Sequence, residues 1–263
     1  MARRPRASRG PAEEYFAPAR PRVLAHRGLA INAPENTLLA FAHAVAVGAE
    51  YIETDVHVSR DGVAVVAHDP DLTRLAGRDL KVDQLTLAEL RRIDLGEGQG
   101  FCSLAEALDA FPQTRFNIDV KARGAVDPTV AAILKMEAMP RVLVTSFDEG
   151  RRAGAVAGLP GVATSASATR FVRALLAFRA RAQVAGMRAL RGLNAVQVPE
   201  RALGIRVATP HLIRRFHDAG VEVHFWTINS PARMSELLDM GADGIVTDRA
   251  DLAMEVVRAR AKS

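Results

Sequence analysis

Cysteine is all but missing from the 263 residues: Cys102 stands alone, so no intramolecular disulfide can form and a thiolate cage around a metal is excluded. Aromatic residues make up only 5%, and Trp226, Tyr15 and Tyr51 are the only large polar ones, which leaves little on which a nucleic-acid enzyme could stack bases. No apolar run reaches the ~18 residues of a membrane span before charge interrupts it. No glycine-rich dinucleotide turn follows an early strand pattern, so a doubly wound nucleotide-binding sheet lacks its signature. Apolar residues, in contrast, are plentiful at 49% against 25% charged. That content buries a proper core, in a chain of the size a closed α/β barrel fills.

The net charge of +5 is unevenly placed. Residues 1–22 hold Arg3, Arg4, Arg6, Arg9, Arg20 and Arg22 against Glu13 and Glu14. Residues 1–21 are rich in Arg, Pro and Ala and lack the apolar region of a secretory signal. They read as a flexible basic arm ahead of a barrel over residues 22–260, with Tyr15 and Phe16 as candidates to dock the arm's end. A cytoplasmic location is the matching expectation.

From residue 22 the chain alternates short β-branched runs with Ala/Leu-rich helical stretches. Strand patterns cover Arg22–Ala25, Tyr51–His57, Arg115–Lys121, Arg141–Thr145, Gly161–Ser165, Asn194–Val198, Glu222–Thr227 and Asp243–Thr247. Helical patterns lie at Asn36–Ala49, Ser103–Phe111, Pro128–Ala138, Asp148–Ala157, Thr169–Ala182, Pro210–Ala219, Pro231–Met240 and Leu252–Ala261. Eight strand–helix pairs spell an α/β fold of the (β/α)8 TIM-barrel type. Asp61-Gly62 separates two alternating runs and marks a hairpin on the second strand. Residues 69–100, with a short helix at Leu87–Arg92, form a small insertion after it.

Barrel active sites sit at the carboxyl ends of the strands. There the first strand ends in His26-Arg27-Gly28, and the second carries Glu53 and Asp55 on one face. Inward is the favoured direction, because Ile52 and Val56 then meet the covering helices. The third strand repeats the device with Asp119 and Lys121. His68-Asp69 follows the hairpin and brings a second imidazole to the same mouth. Glu53, Asp55 and Asp119 can thus converge, and three hard oxygen donors suit Mg²⁺, Ca²⁺ or Mn²⁺. With a dication, Arg27 and Lys121 counted against those acids, the site keeps one positive charge, which a phosphodiester neutralises.

The ordered set His26-Arg27-Gly28, Pro34-Glu35-Asn36-Thr37, Glu53-x-Asp55, Asp61-Gly62, His68-Asp69, Trp226-Thr227-Ile228-Asn229 and the run from Gly241 to Asp248 resembles the glycerophosphodiester phosphodiesterase family over residues 22–252. The resemblance implies hydrolysis of glycerophosphodiesters to sn-glycerol 3-phosphate and an alcohol, with one divalent cation. It implies His26 and His68 as general acid and base, and Glu53, Asp55 and Asp119 as metal ligands. Arg27 and Lys121 would hold phosphate oxygens, and Trp226 would line the substrate pocket. The family more often has glutamate where Asp119 stands; aspartate is one methylene shorter, ~1.5 Å of reach. A phospholipase-D-like or cyclising enzyme on lysophospholipids is the alternative.

The remaining candidates read as structural: His57 as hairpin packing, His224 as an interior histidine, and His43, His217 and Cys102 as inert. The segment Arg170–Arg191 holds six arginines and no acid. It reads as an outer helix with a solvated basic face, with peripheral contact to an anionic membrane as the alternative. The expected partner is a small-molecule diester, not nucleic acid.

Overall fold

The structure, a computed structural model, describes residues 10–261. Eight strands form its centre: β1 (Arg22–His26), β2 (Tyr51–Val58), β3 (Arg115–Val120), β4 (Val142–Thr145), β5 (Ala163–Thr164), β6 (Ala195–Val198), β7 (Glu222–Phe225) and β8 (Gly244–Thr247). They pair in parallel in the order β5-β4-β3-β2-β1-β8-β7-β6. A parallel bridge between Ser165 and Ala195 joins the two ends into a nearly closed barrel. The covering helices are α1 (Leu38–Ala46), α2 (Leu104–Ala110), α3 (Val126–Lys135), α4 (Glu149–Ala157), α5 (Ala168–Arg179), α6 (Pro210–Asp218), α7 (Pro231–Asp239) and α8 (Ala250–Arg260). The fold is the (β/α)8 barrel expected from the alternation.

Helix starts are written locally. Thr37, Ser103, Asp148, Ser167, Thr209 and Ser230 each accept a backbone N–H of the first turn of the helix that follows. Such a cap contributes about 1 kcal/mol. Ser103 and Glu106 cap reciprocally, satisfying two otherwise unpaired N–H groups.

The two faces of each strand are sorted by chemistry. Outward residues such as Ile52, Val56, Phe116, Ile118 and Val144 are fully buried against the helices. Inward residues change along the barrel axis. Leu24, Tyr51, Leu143, Ala163, Ala195 and Val246 form an apolar cluster. Above it Gln197 donates to Asn117 (3.1 Å) and Ser165 to Thr145 (2.7 Å). His224, fully buried, bonds Glu222 (3.1 Å) and Gln197 (3.4 Å), the interior role expected of it.

Of the stretch expected as a flexible arm, residues 1–9 lie outside the described residues. Residues 10–21 pack against the amino ends of the strands instead. A short helix, Pro11–Tyr15, buries Tyr15 completely beside Tyr51. The Tyr15 carbonyl accepts from the Tyr51 hydroxyl (3.0 Å) and from Arg115 Nε (3.1 Å). Arg22, the first residue of β1 as expected, is buried and forks onto Glu222 at 2.7 and 2.8 Å. Arg20 pairs with Asp243. These two arginines close the bottom of the barrel because carboxylates await them there.

The end of β2 pairs antiparallel with Ala64–Val66, the expected hairpin. The insertion beyond it has a two-stranded ribbon, Asp71–Leu72 with Arg78–Lys81, and a turn of helix at Leu87–Leu90. Val65, Leu72, Val82, Leu90, Ile93 and Phe101 give it an apolar cluster of its own. The helical pattern Thr169–Ala182 stops at Arg179, and a second helix, Gln183–Leu190, packs on α5. Gly186 permits that approach: a Cβ there would lie 2.1 Å from the Phe178 ring. No helix among the described residues is long and apolar enough to cross a membrane.

Tyr15→Ala removes a fully buried aromatic from the barrel's lower end, an expected loss of about 3–5 kcal/mol in urea unfolding. A mobile arm would leave the midpoint unchanged.

Candidate active site

Period-two alternation carries His26, Glu53, Asp55, Asn117, Asp119, Lys121, Gln197 and Trp226 to one cavity of about 370 Å³ at the carboxyl end of the barrel. Its first corner is made by Arg27 and Gly28, both at positive φ (+55° and +87°). A Cβ on Gly28 would lie 2.7 Å from the Ala40 backbone, so only glycine lets the chain turn so tightly onto α1. The Arg27 N–H donates to the Glu53 carbonyl (2.9 Å), fixing the end of β1 to β2.

Glu53, Asp55 and Asp119 face this cavity, each less than a tenth exposed. Asp55 Oδ2 accepts from Asn36 Nδ2 (3.0 Å) and has Arg27 Nε 3.4 Å away, while Oδ1 pairs with Lys121 Nζ (2.8 Å). Asp119 accepts from Lys121 Nζ at 2.7 Å. Burial, then repulsion from Asp55, pushes the Glu53 carboxyl up to about 8. Burial also raises Asp119 above the usual carboxylate range. Lys121 is raised too: burial opposes its charge, but Asp55 and then Asp119 outweigh it.

Three carboxylates are the donor chemistry of a hard divalent cation, and Asp119 Oδ1 is buried without a hydrogen-bond partner. By donor type the residues fit such an ion. Among the described residues, however, no three His, Cys, Asp or Glu side chains are gathered into an ion cage. The Lys121 ammonium bridges Asp55 and Asp119 at the place where a shared cation was expected. The three acids line one cavity, and an amine ties two of them together.

Each mouth histidine has its Nδ1 engaged by a carboxylate. His26 bonds Asp248 Oδ1 (2.6 Å), and Asn229 Nδ2 donates to the other oxygen of Asp248 (2.8 Å). Burial disfavours the His26 cation, but the Asp248 bond and the nearby Glu53 carboxylate prevail and raise its pKa. His68 bonds Asp69 Oδ1 (2.7 Å), and Arg74 Nε donates to Asp69 Oδ2 (2.6 Å). Arg74 also reaches Glu35 (2.5 Å), which accepts from Arg27 Nη1 (2.9 Å). A relay of alternating charge thus ties the insertion to the first loop. His57 donates from Nε2 to the His68 carbonyl (3.1 Å), and burial holds its pKa down. It packs the hairpin, as expected.

The cavity's far side is apolar: Phe147, Ala166, Phe171, Pro199 and Trp226. Trp226 meets Phe147 edge-on at 5.9 Å, and Phe147 is 56% exposed. Asp248, Asn36, Arg74 and Phe147 were given no role from sequence. Asp248 had a usable signal, since it lies in the inward register two residues past Val246. Phe147 had none, being a loop residue beyond β4. Cys102 is buried, and burial pushes its thiol up to about 12, so it is inert.

A barrel whose mouth sets paired acids, two backed imidazoles and basic side chains around one cavity is the framework of a phosphate-ester hydrolase. The model of the Glycerophosphoryl diester phosphodiesterase family matches residues 26–252. The probable glycerophosphodiester phosphodiesterase 2 of Mycobacterium tuberculosis is 43% identical over 240 residues, covering 90% of this chain and 91% of its own. A lysophospholipase D of Rattus norvegicus is 25% identical over 86% of this chain and 83% of its own. The solved Oleispira antarctica phosphodiesterase, bound to sn-glycerol-3-phosphate, has a TM-score of 0.75 and 24% identity, covering 93% of this chain and 99% of its own. The chain belongs to the glycerophosphoryl diester phosphodiesterase family, and with that it is a phosphoric diester hydrolase.

Glu53 has a folded-state pKa above its ordinary value, so the ion-free native protein keeps a proton that the unfolded chain releases. Stability from this group is full below the ordinary value and falls as pH rises to about 8. Glu53→Gln should flatten that decline in thermal melts run with a chelator across the interval.

Proposed function

We propose that the chain hydrolyses glycerophosphodiesters to sn-glycerol 3-phosphate and an alcohol, with His68 as general base and His26 as general acid. The pairing of each imidazole with its own carboxylate carries this reading. With Nδ1 engaged, Nε2 is the ring nitrogen left to exchange a proton with substrate. Asp248 favours protonated His26, which suits donation to the leaving alcohol oxygen. His68 takes the proton of the attacking hydroxyl, from water or from the substrate's own glycerol. Arg27 and Lys121 offer N–H donors to the phosphoryl oxygens as charge builds on them.

Glu53, Asp55 and Asp119 would hold one divalent cation, Mg²⁺ or Ca²⁺ by their oxygen donors, with Lys121 giving up its bridge. Such an ion, when bound, supplies Lewis-acid charge to a phosphoryl oxygen. The support for this is that burial and repulsion raise the pKa of both Glu53 and Asp119, a cost that a dication beside them would offset. The barrel unit is assigned to residues 22–260, with His68 at the end of the hairpin and the insertion at 69–100 contributing Asp69 and Arg74 behind it.

The apolar wall of Phe147, Phe171 and Trp226 supports a second reading, a lysophospholipid substrate whose alkyl chain leaves along it. Glycerophosphocholine and lysophosphatidylcholine, assayed side by side, separate the two by kcat/KM.

On the preferred diester, His26→Ala and His68→Ala should each lose at least ~10²-fold in kcat. Asp248→Asn should lower kcat with little change in KM and move the His26 limb of the pH–rate profile to lower pH. Activity surviving both histidine substitutions overturns the assignment. In thermal melts, Mg²⁺ or Ca²⁺ should stabilise the native protein, and Asp55→Asn should abolish that shift.

A further inference from the structure

Away from the mouth, α5 and the helix Gln183–Leu190 form a hairpin of helices outside the strand–helix repeat. Between residues 170 and 191 there is no acidic residue. Arg173, Arg179, Arg181, Arg188 and Arg191 are all exposed there. Among the described residues, none of the five side chains has a hydrogen-bonding or ionic partner. This contrasts with Arg170, which is committed to the Ala189 and Arg191 carbonyls (2.8 and 2.6 Å), and with Arg152, which forks onto Glu149. Five exposed arginines on one helical hairpin, with no acid among them, make a continuous run of unopposed positive charge.

The same hairpin exposes three large aliphatic side chains, Leu176 (50%), Val184 (70%) and Met187 (40%). Val184 and Met187 stand three residues apart and so share one face of their helix. The groove between the helices is lined by Thr169, Arg170, Arg173 and Arg188, and its volume of about 480 Å³ is enough for a phosphate headgroup. Glu149 on its rim is already occupied by Arg152.

We infer that this helical hairpin docks the protein on an anionic phospholipid bilayer, with arginines on lipid phosphates and Leu176, Val184 and Met187 entering the headgroup boundary. Charge alone would fit any polyanion. The aliphatic side chains decide for a bilayer: nucleic acid offers them no apolar layer, and the patch has no exposed aromatic for stacking bases. Free cationic side chains interleaved with apolar ones are the two signals that peripheral binding combines. The inference does not depend on the reaction at the barrel mouth, because no residue of the patch lines that cavity.

The test is co-sedimentation of the full chain with vesicles of phosphatidylcholine alone and of equal parts phosphatidylcholine and phosphatidylglycerol. Arginines 3, 4, 6 and 9 are kept in every protein, so their contribution cancels between variants. The native chain should partition to the mixed vesicles and not to the neutral ones. Arg173→Glu with Arg188→Glu should weaken that partition at least ~10-fold, as should Val184→Asp with Met187→Asp. All variants should keep native activity on a water-soluble glycerophosphodiester, which reports that they are folded; Arg173→Gln with Arg188→Gln serves if charge reversal does not express. Absence of binding to the mixed vesicles overturns the inference. So does binding that the four substitutions leave unchanged. Loss on arginine replacement alone, with the aspartate pair binding vesicles and an oligonucleotide like the native chain, also overturns it and leaves a general polyanion patch.

Discussion

Acids buried together demand positive charge, and most of the barrel mouth follows from that demand. Glu53, Asp55 and Asp119 lie within one cavity, largely removed from water, where neither desolvation nor mutual repulsion can be relieved by solvent. Lys121 bridges two of them, Arg27 stands beside one, and His26 approaches Glu53 at 3.9 Å. Asn36 is placed by the same need: one side of its amide donates to Asp55, while the other accepts from Thr54 (2.8 Å). Residues of the first loop that look like a mere sequence signature are thus the acids' neutralising shell.

The two ends of the barrel answer the problem of buried charge differently. At the lower end Arg22 and Glu222 are matched one to one in a fork, beneath an aromatic lid of Tyr15 and Tyr51. That pairing is complete and leaves no charge available for a ligand. At the mouth the pairing is incomplete: Asp119 Oδ1 and Arg27 Nε lack hydrogen-bond partners, and Glu53 sits far above its ordinary pKa. Among the described residues, the buried charged groups without a hydrogen-bond partner lie at the mouth, while the lower end leaves only the neutral Tyr15 hydroxyl unpaired.

The barrel was legible in the sequence because each strand carries both of its signals. β2 alternates Ile52, Thr54 and Val56 with Glu53, Asp55 and His57, so one glance at spacing sorts helix-facing from lumen-facing positions. The charged cavity-lining residues of β2 and β3 were found for the same reason, whereas the neutral Asn117, Thr145 and Gln197 beside them were not singled out. Contacts between loops carry no such periodicity. Nothing in the chain's spacing joins Arg74 to Glu35 or His26 to Asp248, which are 39 and 222 residues apart. Nor does arginine content distinguish Arg22, buried in a fork, from Arg173, exposed and free. The helix Gln183–Leu190 lies beyond the pattern that ends at Ala182, and what seats it, the room that Gly186 leaves for the Phe178 ring, is a contact rather than a periodicity. Three carboxylates in register were readable; how near their oxygens come to one another was not, since side-chain torsions and a competing ammonium decide it.

His68 differs from the other mouth residues in what carries it. His26, Glu53, Asp55 and Asp119 ride on staves whose positions are set by the whole cylinder, whereas His68 enters on a segment with a separate small core. That segment is joined to the cylinder by the hairpin, by the His57 contact and by side-chain links such as Arg74 to Glu35 and Arg91 to Glu106. Changes within that small core can therefore re-aim the His68 imidazole, and alter which molecules fit beneath it, without disturbing the staves that hold the acids.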